Sequence, residues 1–261
     1  METLFSIQKI VLIGSGNVAT QLGMSLHEAG YSIIQVYSRT RKSATLLAKK
    51  LNAEAVSDFE KISTDGTLYI IAVKDDAISE LAKQLKLKEQ LVVHTSGTAD
   101  ISILKNCSKN YGVFYPLQTF SKSKQIDFMK VPVCIEANNK KTTDQLVYFA
   151  KSISRQVRRI SSEQRKMLHL AAVFACNFSN DMYVIASTIL SNHRLPFDLL
   201  KPLIMETAEK VQSNDPVKMQ TGPAIREDIK TITAHLNLLK DKKLKSIYKL
   251  MSDHIINNIK K

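Results

Sequence analysis

The amino-acid sequence predicts an α/β fold in which a doubly wound parallel sheet is followed by an all-α region. An apolar run, Ile10 to Ile13, leads directly into a glycine-rich turn and then into a helical pattern. Further apolar runs alternate with helical patterns up to about residue 160, as in a parallel sheet covered on both faces. Seven of the eight glycines lie at or before Gly112, and the pattern from Ser161 onwards is helical throughout.

The first turn has the pattern of a dinucleotide-binding loop, G-x-G-x-x-A, formed by Gly14, Ser15, Gly16, Asn17, Val18 and Ala19. Gly14 permits a tight turn, and Gly16 has no Cβ to block the approach of a pyrophosphate. Ala19 allows the helix to pack closely against the strand. Because helix N-termini attract phosphate, and because a strand precedes the motif and a helix follows it, the sequence predicts a Rossmann-type cofactor site here.

The end of the second predicted strand favours NADP over NAD. An NAD-binding domain tends to carry Asp or Glu at this point, where the carboxylate binds the ribose 2′-hydroxyl. This sequence instead has Ser38, Arg39, Thr40 and Arg41. Guanidinium groups bind phosphate oxygens through paired hydrogen bonds, so the loop suits the 2′-phosphate of NADP(H). The alternative is an exposed basic turn that begins the next helix.

The elements of the sheet follow in order along the chain. A helix from Val18 to Ala29 ends at Gly30, which is a common stop signal. Later strands are predicted at 33–37, 53–56, 68–73, 91–94, 111–115, 132–136 and 156–160, and later helices at 42–51 and 74–85, with another ending at residue 152.

Two turns of this sheet are predicted to lie beside the cofactor, on its nicotinamide side. They are Ala72-Val73-Lys74 and Thr95-Ser96-Gly97, which follow two of the buried strands. Ligands of doubly wound sheets lie beyond the carboxyl ends of the strands, which is where both turns begin.

The chain is predicted to form two domains, an NADP-binding domain over residues 1–160 and a helical domain over residues 161–261. Helices are predicted at 162–191, 197–213, 223–239 and 242–259, and Ser161 with Gln164 forms a capping box for the first. This long helix is apolar on most sides, which predicts a central, closely packed position. Three polar residues near its middle (Asn177, Asn180 and Asp181) argue against a membrane span.

Composition narrows the choice of partners and compartment. The three cysteines are far apart and fit neither a disulfide framework nor a zinc site, so we expect no metal and a reducing, cytoplasmic location. The formal net charge of +13 raises nucleic acid as a partner. The excess of positive charge is spread along the chain, apart from a cluster at Lys240 to Lys249. No nucleic-acid-binding motif accompanies this charge. We therefore expect a solvated basic surface, with no nucleic-acid partner and no membrane.

The long helix carries the candidate catalytic residues. His169, Val173 and Asn177 follow an i, i+4, i+8 spacing, which places them on roughly one stripe of an α-helix. A buried His and Asn that face the cofactor could bind and protonate a carbonyl or imine substrate. The alternative is a pair of core residues that are hydrogen-bonded inside the helical domain.

Several motifs resemble one family. Ile71-Ala72-Val73-Lys74 is similar to a stretch of pyrroline-5-carboxylate reductases, and the first 100 residues resemble the domain they share with deazaflavin-dependent NADP reductases. Nearly the whole chain resembles Rossmann-like NADP oxidoreductases with a C-terminal helical domain of unknown function. The motifs are His94-Thr95-Ser96-Gly97, Tyr115-Pro116-Leu117-Gln118-Thr119-Phe120, His169-Leu170-Ala171-Ala172 with Asn177, and Thr221-Gly222-Pro223-Ala224 followed by Arg226 and Asp228.

The resemblance implies a helical domain similar to that of 6-phosphogluconate dehydrogenase, which forms a homodimer and faces the nucleotide domain across the active site. It implies that Ser96 binds a substrate carboxylate, opposite His169 and Asn177. Lys166, one turn before His169, is a second candidate acid/base because related dehydrogenases use a helix lysine. Tyr115 departs from the histidine of the family pattern, which puts proton transfer by that residue in doubt.

The sequence therefore predicts an oxidoreductase that moves a hydride between NADP(H) and a small carbonyl, imine or hydroxy-acid substrate. A protein that binds NADP(H) as a sensor or scaffold, without chemistry, is the alternative.

Overall fold

The computed structural model describes residues 7–259, so the first six and the last two residues of the predicted domains lie outside the described residues. Within that range the chain forms one eight-stranded sheet in the order β3-β2-β1-β4-β5-β6-β7-β8. The strands are β1 Lys9–Ile13, β2 Ser32–Tyr37, β3 Glu54–Val56, β4 Leu68–Ile71, β5 Leu91–His94, β6 Asn110–Pro116, β7 Val133–Ala137 and β8 Val157–Arg159. This is the doubly wound α/β sheet that the sequence predicts, and a helical region follows it.

The helices agree with the predicted positions, except that two of them start late. They are α1 Asn17–Glu28, α2 Arg41–Leu51, α3 Asp75–Gln84, α4 Lys140–Lys151, α5 Ser162–Ala172, α6 Ser179–Asn192, α7 Lys201–Ser213, α8 Ile229–Leu238 and α9 Lys242–Ile259. Of the helix predicted at 197–213, residues Phe197–Leu200 form a 3₁₀ turn and α7 follows from Lys201. The larger difference is α8, which is predicted from residue 223 and starts at Ile229. Gly222 and Glu227 both have positive φ angles, so the backbone cannot be helical there, and Asp228 caps the helix through the Thr231 N–H.

The sheet is covered on both faces. Successive strand residues point to opposite sides, so neighbouring residues of one strand belong to different cores. Ile10 and Leu12 belong to a core formed with α1, α2 and α4. Val11 and Ile13 point the other way, into a core formed with α3 and the segment after β5. The near-continuous apolar runs in the sequence follow from this double burial.

One strand pair breaks the parallel pattern. β6 is parallel to β5, whereas β6 and β7 are antiparallel. The connection between them, residues 117–132, contains a single short 3₁₀ turn, Phe128–Lys130, and no α-helix. Because no crossover helix carries the chain to the other end of the strands, β7 starts beside the carboxyl end of β6 and runs antiparallel to it.

The long helix predicted at 162–191 is continuous but changes its winding. α5 is followed directly by a π-helical segment, Val173–Phe178, and then by α6. The chain divides into two compact units between Asp181 and Met182, within α6. The first unit therefore includes α5 and the π-segment, whereas the division at residue 160 follows the change in secondary structure and stays a prediction.

The predicted close packing of this helix is not found within a single chain. Neither the π-segment nor α6 contains a buried residue. None of the helices in the described part of the chain combines the length and the apolar character that a membrane crossing requires.

Candidate active site

Gly14 forms the turn at the carboxyl end of β1. Its φ angle is +127°, and its N–H donates to the Tyr37 carbonyl at 2.8 Å. A Cβ at this position would lie 2.1 Å from the Ala72 carbonyl oxygen, so only glycine fits between β1 and β4. A Cβ on Gly16 would meet no protein atom within 4 Å, so this part of the turn is open on the side where a ligand would approach.

Helix α1 begins directly at this turn and presents an anion site. No side chain caps its first turn, and no acidic residue lies in it. The N–H of Thr20 makes the first helical bond, to Gly16, so the preceding N–H groups remain for a ligand. These groups and the helix dipole attract a phosphate.

The end of β2 contributes a second polar group of side chains. The Ser15 hydroxyl donates to the Ser38 hydroxyl at 2.9 Å, which ties the glycine turn to this strand end. Arg39 lines the adjacent cleft. Arg41 points away, because its guanidinium donates to the Ala55 carbonyl at 2.7 Å, and Thr40 precedes α2 as its N-cap. The structure thus brings one of the two predicted arginines to the cofactor cleft.

A cleft of about 790 Å³ runs along the carboxyl ends of β1, β2, β4, β5 and β6. The topology switches between β1 and β4, which is where ligands bind in doubly wound sheets. Of the predicted site residues, the cleft is lined by Gly14, Ser15, Gly16, Asn17, Val18, Ser38, Arg39, Ala72, Val73, Lys74, Thr95, Ser96 and His169.

Other lining residues were missing from the predicted site. They include Tyr37, Asp75, Tyr115, Gln118, Phe120 and Lys122. Three of them belong to the Tyr115–Phe120 motif on which the family resemblance partly depends. The motif was therefore an available signal for this side of the cleft, although a loop sequence does not itself predict where the loop lies.

The turn after β5 is held by its own side chains. The Ser96 hydroxyl oxygen accepts the N–H groups of Thr98 and Ala99, at 3.0 and 2.9 Å. The Thr98 hydroxyl in turn donates to the Asp75 carboxylate at the start of α3. Both acceptor positions of Ser96 are thereby engaged, so its hydroxyl can offer the cleft a proton but no further lone pair.

His94 lies beneath this turn and has no exposed surface. Its Nδ1 accepts the Ser96 N–H at 3.2 Å. Burial, and secondly the nearby Arg165 guanidinium, lower the pKa of His94 to about 4, against a smaller opposing effect of the Asp100 backbone. His94 is therefore a neutral structural residue at physiological pH.

His169 is the one predicted acid/base that the structure brings into the cleft. Its Nδ1 lies 2.9 Å from the Tyr115 hydroxyl, and the two rings meet edge to face. A Cβ on Gly97 would lie 2.5 Å from the same nitrogen, so the imidazole packs directly on the glycine of the β5 turn. Burial is the main cause that raises the pKa of Tyr115 to about 12.

Arg165 fixes the helix that carries His169. The side chain is fully buried, pairs with Glu136 of β7, and also donates to the Ala99 carbonyl. Ser162 completes the network, because its hydroxyl lies within hydrogen-bond distance of both Arg165 and Glu136. Helix α5 is thus attached through polar contacts to β7 and to the turn after β5.

The structure does not bring Lys166 or Asn177 into the cleft. The Lys166 ammonium is half-exposed and lies 3.9 Å from the Asp100 carboxylate. Asn177 is exposed on the π-segment. The i, i+4, i+8 stripe assumed α-helical winding, and π winding advances each residue by a smaller angle, so the stripe does not hold beyond Val173.

Two family models match separate parts of the chain. Residues 9–97 match the model described as NADP oxidoreductase coenzyme F420-dependent, and residues 131–255 match a domain of unknown function. A solved structure from Bacteroides fragilis, described as an NADP oxidoreductase, is 44% identical, with 97% of this chain and 100% of that chain aligned at a TM-score of 0.91. The chain belongs to this NADP oxidoreductase family.

More distant structures share the fold. A Thermotoga maritima protein is 22% identical, with a TM-score of 0.75 and coverage of 94% of this chain and 98% of that one. An imine reductase from Myxococcus stipitatus, solved with NADP⁺, is 14% identical, with a TM-score of 0.65 and coverage of 97% and 93%. No protein of curated function matches the chain.

The cleft of this NADP oxidoreductase suits its cofactor. The open side of Gly16 and the uncapped first turn of α1 would hold the pyrophosphate. Arg39 and Ser38 would hold the 2′-phosphate, since both line the cleft at the end of β2. Among the described residues, no cluster of three potential metal ligands is present.

Proposed function

We propose that this NADP oxidoreductase acts on a small carbonyl, imine or hydroxy-acid substrate, with His169 as the residue that donates or accepts the proton. One observation carries the proposal: His169 lines the same cleft as the glycine turn of β1. The cofactor, when bound, would supply the hydride to a carbonyl or imine or accept it from a hydroxy acid, so the protein must position the substrate and exchange one proton with it. The imine reductase with this fold supports an imine as one substrate class.

The side chains around His169 fit these two tasks. The Ser96 hydroxyl can donate to a substrate oxygen or carboxylate, because its lone pairs are already engaged by the turn. Lys74 and Lys122 add positive charge to the lining, and Phe120 adds an apolar ring. These groups favour a small substrate that carries an anionic or strongly polar group.

The cofactor part of the proposal is tested by thermal unfolding with NADPH and with NADH at equal concentration. We expect the larger rise in Tm with NADPH. Arg39→Ala should lower the affinity for NADPH by roughly 10- to 100-fold, the value of a charge-assisted hydrogen bond, and leave NADH binding unchanged. Arg41→Ala is the matched control because its guanidinium is bound to Ala55. Equal rises with both cofactors would contradict the 2′-phosphate site.

The catalytic part is tested by screening small imines, ketones and hydroxy acids for turnover. His169→Ala should lower kcat on any active substrate by roughly 100-fold or more, the usual value of a general acid or base. Lys166→Ala is the matched control on the same helix and should keep most of the activity. A retained Tm rise with NADPH shows that each variant is folded, and full activity of His169→Ala would reject the assignment.

We further propose that the protein is a homodimer that associates through the long helix, and that it acts in the cytoplasm. The support for the dimer is a set of four exposed apolar side chains along α5 and the π-segment, Met167, Leu170, Phe174 and Phe178, which we term the exposed apolar stripe. Cys107, Cys134 and Cys176 are all free, which suits a reducing compartment.

A further inference from the structure

The Tyr115–His169 contact lies in the cleft, and the proposed function uses only one of its two residues. We propose that Tyr115 is a positioning residue: its hydroxyl holds Nδ1 of His169, which leaves Nε2 as the ring nitrogen that exchanges a proton with the substrate. The inference rests on the proposed role of His169 and adds which atom of the ring reacts and what orients it.

The Nδ1 edge of the imidazole is enclosed by protein. The Tyr115 hydroxyl oxygen lies 2.9 Å from Nδ1, and the ring centroids are 6.0 Å apart at an interplanar angle of 69°. The position of a Gly97 Cβ would be 2.5 Å from Nδ1 and 2.6 Å from Cγ, so the turn after β5 lies against the same edge. Neither of these contacts involves Nε2, the other ring nitrogen.

Both partners of the contact are attached to rigid elements. Tyr115 lies in β6, which is hydrogen-bonded to β5 on one side and to β7 on the other, with Tyr115 opposite Cys134. His169 lies one turn after Arg165, whose buried guanidinium attaches α5 to Glu136 and Ala99. The hydrogen bond therefore joins two fixed points, and the sheet determines the orientation of the imidazole.

A neutral hydroxyl can serve this role in every protonation state of the ring. Tyr115 is buried, and its raised pKa keeps the phenol protonated near neutral pH. Toward a neutral imidazole the hydroxyl oxygen accepts from Nδ1–H, so the free lone pair is on Nε2, which can take up a proton. Toward an imidazolium the hydroxyl oxygen accepts from Nδ1–H, and Nε2–H is free to react.

The proton balance follows from this arrangement. When the imidazolium gives its Nε2 proton to the substrate nitrogen or oxygen, the ring loses one positive charge and the substrate gains one proton. The bond between Nδ1–H and the Tyr115 oxygen remains throughout the transfer. A carboxylate in the place of Tyr115 would instead leave a buried negative charge beside the ring.

The experiment is nitrogen NMR of the histidine side chains in the full-length protein, at an alkaline pH where imidazoles are neutral. Protonated and unprotonated ring nitrogens have widely separated shifts, and the signals of His169 are those that vanish in His169→Ala. For the unaltered protein we expect a protonated Nδ1, which donates to the Tyr115 hydroxyl oxygen, and an unprotonated Nε2. In Tyr115→Phe the Nδ1 shift should change, because the hydroxyl is lost while the aromatic ring remains.

Tyr111→Phe is the matched control, because Tyr111 lies in the same strand but does not line the cleft. Its His169 signals should equal those of the unaltered protein. Identical His169 signals in Tyr115→Phe would overturn the inference, as would a neutral ring protonated on Nε2 in the unaltered protein. If Tyr115 contributed only the packing of its aromatic ring, the His169 signals would be identical, because Phe keeps that ring.

Kinetics separate this inference from the proposed function. On any substrate found, Tyr115→Phe should lower kcat by about fivefold, the value of one neutral hydrogen bond, without changing KM for NADPH. If Tyr115→Phe shifts the nitrogen signals while His169→Ala keeps full activity, the contact exists and the proposed function fails. If His169→Ala is inactive and the signals of Tyr115→Phe do not shift, the proposed function stands and Tyr115 does not position the ring.

Discussion

Gly14 and Gly16 belong to one motif but have different physical roles. Measurements of protein stability and of cofactor binding in glycine-to-alanine variants can distinguish these roles. Ala at Gly14 would require a φ angle of +127° and place a Cβ against the Ala72 carbonyl. We expect Gly14→Ala to lower the free energy of unfolding by at least about 2–3 kcal/mol. Gly16 has a φ angle of −75° and open space in front of it, so Gly16→Ala should be nearly neutral for stability.

Chemical denaturation measures the stability of both variants, and the rise in Tm with NADPH measures how well each binds the cofactor. Gly16→Ala should reduce that rise, because the added methyl group lies where the pyrophosphate approaches. If the two variants were equally stable, the distinction would be wrong: Gly14 would not be needed for the backbone turn, and Gly16 would not differ from it in serving only cofactor binding.

His94 makes stability depend on pH in a defined direction. Its pKa is about 4 in the folded protein and near 6.5 when unfolded, so between these values the unfolded chain binds more protons. Stability is therefore complete above about pH 6.5 and falls as the pH drops towards 4, by about 3 kcal/mol in all. His94→Asn keeps an acceptor for the Ser96 N–H but does not titrate. We expect denaturation curves of this variant to show less loss of stability across the window, and an equal loss would contradict the assignment.

The sequence predicts residues well where the backbone itself imposes the choice. Gly14, Gly16 and Ala19 could be assigned roles because a strand–turn–helix leaves few alternatives. Lys166 was a candidate from its position one turn before His169, yet a side chain one turn away can point to another surface, as its contact with Asp100 shows. The Tyr115–His169 contact joins residues 54 positions apart, so no local pattern could reveal it.

At the scale of elements, the attachment of α5 depends on a buried ion pair. Removing one partner of such a pair leaves the other charge unpaired, so Arg165→Met should cost about 3–5 kcal/mol. Arg159→Met is the surface control, because its pair with Asp144 is largely exposed and should contribute about 0–1 kcal/mol. Adding Glu136→Gln to Arg165→Met should restore part of the loss. Denaturant titration measures all three, and a small effect of Arg165→Met would show that apolar packing alone holds the helix.

Element boundaries were predictable where they depend on local chemistry. The capping box of Ser161 and Gln164 is present, and α5 begins where it predicts. Arg165 gave no such signal, since an arginine in a helix usually predicts an exposed face. The π-segment also lacks a local signature, and it displaced Asn177 from the predicted stripe.

At the scale of the whole molecule, the exposed apolar stripe on the long helix leads to a prediction about assembly. Phe174 is 63% exposed and Phe178 is 49% exposed within one chain. If the stripe is a dimer interface, Phe174→Glu with Phe178→Glu should give a monomer in light-scattering or sedimentation measurements. Leu46→Glu is the control, because Leu46 is 62% exposed on a different helix, α2. An unaltered protein that is already monomeric would contradict the proposed dimer.

The fold class could be predicted from the sequence, because apolar runs that alternate with helical patterns, and glycines at the ends of those runs, are typical of buried parallel strands. The reversal of β7 did not, since a strand carries no mark of its direction. The cause lies in the connection, which has no crossover helix and therefore returns at the same edge of the sheet.

This reversal also bears on how the protein can change during evolution. The connection between β6 and β7 remains at the ligand edge, where Gln118, Phe120 and Lys122 line the cleft. Gln21 of α1 holds it by donating to the Ser121 and Lys124 carbonyls at 2.6 and 2.9 Å. Because this segment is not part of a crossover, its length and side chains can vary without disturbing the strand order. Substrate preference can therefore diverge among relatives while the cofactor-binding half stays the same.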